Sequence, residues 1–72
     1  MDRKYAVRYW LTECITSAIR CAKRNNTYCA REYIDNIRGM LFYMYSIGDI
    51  DEYINNKVYN LTTMVVKKYS LY

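Results

Sequence analysis

Apolar side chains recur along this chain with the period of a helix, in three separate stripes. Between Tyr5 and Arg24, the residues Val7, Leu11, Cys14, Ala18 and Cys21 follow one another at alternating steps of four and three, and Ile15, Ile19 and Ala22 widen the stripe. Glu13, Ser17, Arg20 and Arg24 occupy the other side, so this segment has one face to bury, with Trp10 at its edge. A second stripe from Tyr28 to Ile47 runs through Ala30, Ile34, Ile37, Leu41 and Met44, flanked by Tyr33 and Met40. The third, from Ile50 to Tyr69, is Ile50, Ile54, Val58, Leu61 and Val65, with Met64 and Tyr69 beside it. The spacing predicts helices over about residues 3–24, 28–47 and 50–69.

The breaks between the stripes carry their own chemistry. Asn25-Asn26-Thr27 supplies turn and N-cap residues without a proline. In Ser46-Ile47-Gly48-Asp49-Ile50-Asp51-Glu52, Gly48 can adopt the left-handed conformation that ends a helix, and Asp49 with Glu52 three residues on has capping-box spacing. Asp51 and Glu52 place negative charge at the positive end of the next helix.

Short connections make neighbouring helices antiparallel, and the expected fold is an all-α, up-down-up three-helix bundle. A hairpin centred near Asn26 sets Ala18 against Ile34, Cys14 against Ile37, Leu11 against Leu41 and Val7 against Met44. Folding back at Gly48 sets Leu41 near Ile54, Ile37 near Val58 and Ile34 near Leu61. The alternative is a long helical hairpin that completes its core by homodimerising. At 72 residues the chain is one domain, residues 1–72, near the lower size limit for folding alone.

Composition removes several function classes. There is no histidine, no Cys-x-x-Cys and no carboxylate pair beside a cysteine, so neither a metal site nor a nucleophile with its base is expected, and no cofactor and no catalytic residue are assigned. Cys14 and Cys21 on one helix stand about 10.5 Å apart along its axis and cannot bond. A Cys21–Cys29 bridge is geometrically conceivable, but three reduced cysteines in a cytoplasmic protein are the expectation. Met1-Asp2-Arg3-Lys4 leads into a segment interrupted at Arg8, so no leader develops. The longest unbroken apolar run, Met40 to Tyr45, cannot span a bilayer. Asn25-Asn26-Thr27 and Asn60-Leu61-Thr62 match a glycosylation pattern by chance.

Three features point outward. The topology gathers Arg20, Lys23, Arg24, Arg31, Lys67 and Lys68 at one pole. Such a cluster can contact phosphates or an acidic protein surface, or merely complement helix dipoles. The net charge of +4 is moderate. Ten tyrosines are an excess that suits an interface and equally suits compositional drift, with half or more expected to rim the core. The outer face of the second helix presents Asp35, Gly39, Phe42, Tyr43 and Ser46, with Tyr59 and Val66 on the outer side of the third. A glycine in mid-helix costs about 1 kcal/mol relative to alanine, and an exposed Phe42 beside Tyr43 serves solubility poorly. The expected function is a small non-enzymatic interaction module, an accessory or inhibitor protein of the kind viruses and mobile elements encode, engaging a larger protein or ribonucleoprotein. A nucleic-acid binder working through the basic pole and a structural homo-oligomer are the alternatives.

Overall fold

The computed structural model describes residues 3–72 and contains three helices: α1 (Arg3–Lys23), α2 (Thr27–Ser46) and α3 (Glu52–Tyr69). Met1 and Asp2, part of the opening stretch read for a leader, lie outside the described residues. All three helix pairs are in contact, and the chain is an up-down-up three-helix bundle. No helix of the described residues is long and apolar enough to cross a membrane.

Each helix ends on a residue in the left-handed region: Asn25 (φ 61°), Gly48 (φ 82°) and Ser70 (φ 51°). Each such residue lets the next N–H turn back to a carbonyl of the last turn. Asn26 N–H donates to the Cys21 carbonyl at 2.9 Å, Asp49 N–H to Met44 at 2.9 Å and Leu71 N–H to Val66 at 3.0 Å. This is the Schellman arrangement, and it satisfies carbonyls that a helix end would otherwise leave open. Asn26 then caps α2 by accepting from the Cys29 N–H at 3.2 Å.

One capping expectation is corrected. The N-cap of α3 is Asp51, not Asp49: Asp51 has extended backbone and accepts from the Ile54 N–H at 2.9 Å. Asp49 already belongs to the end of α2 through its N–H, and two residues separate that closure from the start of α3. Its carboxylate instead takes a bidentate pair from Arg3, Nε to Oδ1 and Nη2 to Oδ2, both at 2.9 Å. This tethers the start of α1 to the α2–α3 turn. The hydrogen bond and charge of Asp49 raise the Arg3 pKa further.

The core forms two clusters. Val7, Leu11, Cys14, Ile37, Leu41, Met44, Ile50 and Val58 make the first, with Trp10 and Ile54 packed against it. Ala18, Ala22, Ala30, Ile34, Val65 and Leu71 make the second. Both faces of the expected α1–α2 pairing are therefore buried within one chain. The three cysteines are free, with Cys14 buried; burial, and then the charge of Glu13, push its thiol pKa up.

The third stripe is the main correction. Thr62 is fully buried, whereas Leu61 and Met64 are 37% and 64% exposed. Thr62 sits four residues after Val58 and three before Val65, so it fills the stripe as well as Leu61 would. Its hydroxyl donates to the Tyr59 carbonyl at 2.6 Å and accepts from Arg38 Nε at 3.1 Å. A hydroxyl satisfied in this way is inexpensive to bury. Leu71, 2% exposed, packs in the second cluster beside Ile34, where Leu61 was expected. With α3 so rotated, the α1–α3 seam is the loosest of the three. The bundle measures 34 × 22 × 14 Å, oblong in cross-section.

Candidate functional site

The outer face of α2 is open as expected. Phe42 is 78% exposed and Tyr43 55%; Asp35, Gly39 and Ser46 are also at the surface. A Cβ added at Gly39 would meet nothing within 4 Å. Neither crowding nor a positive φ inside the chain accounts for this glycine. The helix carries its cost without intramolecular return.

Two polar groups of this face are already engaged. The Ser46 hydroxyl donates to the Phe42 carbonyl one turn back at 2.8 Å. Tyr72, the last residue, donates its hydroxyl to Asp35 Oδ1 and lies 3.5 Å from the Arg31 carbonyl, with the Arg31 guanidinium 6.0 Å from its ring centroid. Loss of solvent around this phenol, and then the bond to Asp35, raise its pKa. Tyr72 thus lies over one end of the α2 surface and occupies the carboxylate that the sequence left open.

The two α3 residues assigned to the same surface fare differently. Val66 is half-buried and packs against the second core cluster. Tyr59 is 48% exposed but stacks under Arg38, whose guanidinium lies 4.9 Å from the ring centroid. Arg38 also donates from Nη2 to Thr63 Oγ1 at 3.4 Å. This arginine, which the periodicity does not single out, is the polar bolt between α2 and α3. Of the ten tyrosines, Tyr33 and Tyr69 pack against the core, fewer than the half expected to rim it, and the other eight are exposed.

Arg20, Lys23, Arg24, Arg31, Lys67 and Lys68 are all exposed, and none forms an ion pair among the described residues. The fold brings Lys23, Lys67 and Lys68 to one trough of about 600 Å³ floored by Ile15, Ile19, Leu61, Met64 and Val65. Arg31 is drawn instead toward Tyr72. The trough was not legible in the sequence, because its floor includes the two α3 residues that the apolar pattern assigns to the core. The adjacent cations Lys57, Lys67 and Lys68 were the available signal, since Lys57 and Lys68 share the Leu61 and Met64 side of a helical wheel.

Among the described residues no group of three or more Cys, Asp or Glu side chains is arranged to hold a metal ion. Compared with protein families, curated proteins and solved structures, the chain has no match.

Proposed function

We propose that this chain is a non-enzymatic protein-interaction module: a rigid helical scaffold that presents the outer face of α2 to a larger macromolecular partner, as an accessory or inhibitor protein would. The observation that carries the reading is Gly39 beneath exposed Phe42 and Tyr43. A mid-helix glycine with empty space around its missing Cβ leaves room for another chain to approach the helix backbone, and exposed Phe42 and Tyr43 one turn on give such a contact large area at low entropic cost. The partner meets Gly39, Phe42 and Tyr43 first, and reaching Asp35 requires displacing Tyr72. The basic pole steers the encounter, which raises the association rate at low salt more than it raises final affinity. Free thiols in all three cysteines suit a cytoplasmic setting.

A photo-crosslinking residue placed at Phe42, introduced in the native cells, tests this reading. A larger protein adduct that disappears with Gly39→Arg, in a chain whose circular dichroism is unchanged, is the expected result. Recovery of the same adducts with and without Gly39→Arg would refute it. A second reading, nucleic-acid binding at the basic pole, draws on the six exposed cations without ion pairs. It requires duplex or single-strand affinity that falls steeply with salt and is lost in the Lys67→Glu/Lys68→Glu double variant.

A further inference from the structure

We infer that the seam between α1 and α3 is a second, separate docking site, and that it receives an acidic amphipathic helix from another protein as a fourth helix of the bundle. This goes beyond the α2 reading and shares none of its α2 residues, although Lys23, Lys67 and Lys68 of the basic pole belong to its rim.

The floor of the seam is aliphatic. Ile15, Ile19, Leu61, Met64 and Val65 line its polar-end half, and Leu11, Ile54 and Val58 continue it as a trough of about 450 Å³ that shares Ile15 and Leu61 with the first. Leu61 and Met64 are open to solvent, although they lie at the helical spacing that ordinarily seeks a core. From Arg8 to Lys23 the seam follows α1 for fifteen residue steps, about 22 Å at 1.5 Å per residue. A groove between two parallel helices, floored at this spacing and of this length, fits one helix of about fifteen residues presenting anchors at i, i+3, i+4 and i+7.

Its charge decides what kind of helix. Lys23, Lys67 and Lys68 rim one end, and Arg8 and Lys57 rim the other; no carboxylate lines either trough. The occupant therefore carries Asp or Glu on both flanks of its apolar stripe. A second copy of this chain brings a net charge of +4 and the same cationic rim, so like charges oppose it. Each trough has a single aromatic side chain in its lining, Tyr69 in one and Tyr53 in the other, which is short of the run of stacking platforms a nucleic-acid strand needs. A membrane surface needs a convex apolar face, and this one is concave.

The test is a display selection of eighteen-residue peptides with apolar residues fixed at i, i+3, i+4 and i+7 and every other position random, against the full chain at physiological salt. The expected pool is enriched in Asp and Glu beside the apolar positions, and its members bind at least tenfold more weakly to Met64→Glu and to Lys67→Glu/Lys68→Glu. These changes lie at exposed positions, so the fold survives them, which circular dichroism checks. The same peptides bind Phe42→Glu unchanged, which separates this site from the α2 face. Flanks enriched in Lys or Arg, no enrichment, or binding indifferent to both variants would overturn the inference. So would loss of binding only in Phe42→Glu, or a dimer in light scattering that Met64→Glu dissolves.

Discussion

Replacing Gly39 with alanine separates folding from binding at one position. The helix is regular there, Gly39 has no positive φ, and the new methyl group meets nothing within 4 Å. No steric cost therefore opposes the gain in helix propensity, about 0.8–1.0 kcal/mol. For a domain of this size that corresponds to a rise in Tm of about 4–8 °C, and to an upward shift of the urea midpoint of about 0.5–1 M for a slope near 1–2 kcal/mol per M. Gly48→Ala is the internal contrast: its φ of +82° makes the same methyl group costly, by about 1–2 kcal/mol, so its melting point falls. Thermal and urea unfolding followed at the helical circular dichroism band read both. A Gly39→Ala chain that is less stable than wild type, or unchanged within about 0.3 kcal/mol, refutes the reasoning, since it means the glycine answers a need inside the bundle. If it is more stable and the larger Gly39→Arg side chain abolishes partner capture, the glycine is there for the interface.

Three further outcomes follow from the α3 cap, the rotation of α3 and the buried thiol of Cys14. Asp51→Ala removes the α3 cap and lowers stability by about 1 kcal/mol, while Asp49→Asn, which leaves that cap in place, has a smaller effect that vanishes in high salt; equal losses in the two would restore Asp49 as the cap. Thr62→Lys places a second cation against Arg38 in the core and costs more than about 3 kcal/mol, whereas Met64→Glu stays within about 0.5 kcal/mol; the reverse order in urea titrations would return α3 to the orientation its apolar pattern suggests. The Cys14 thiol pKa is raised in the folded chain, so the unfolded chain gives up its proton first as pH rises past the ordinary thiol value of roughly 8.5. The stabilisation is fully present below that value and is lost as pH climbs through the folded one, so the wild-type urea midpoint falls more between pH 8 and 10 than that of Cys14→Ala, and identical slopes would show that burial leaves this thiol unperturbed.

The α1–α2 hairpin was readable because two conditions coincided: unambiguous stripes on both helices, and a turn whose residues suit only a turn. Val7, Leu11, Cys14 and Ala18 on one side, with Ile34, Ile37, Leu41 and Met44 on the other, meet wherever the hairpin is drawn near Asn26. The helix stops were equally local. Gly48 needs no neighbour to reach positive φ, and Asn25 tolerates it because a short polar side chain does.

The rotation of α3 is a different matter. Leu61 and Thr62 are both compatible with the spacing of Val58 and Val65, and hydrophobicity alone chooses Leu61. The fold chooses Thr62, because an arginine twenty-four positions away on α2 reaches its hydroxyl and a leucine past the end of the helix fills the space near Ile34. Neither partner is local, so no window along the chain contains the information. The same applies to the surface: periodicity placed Gly39 and Phe42 outside, a property of one helix, whereas the cationic trough between α1 and α3 exists only after three helices have settled against each other. What one helix decides by its own period could be read from the residues in order; what depends on the angle between helices was decided by packing.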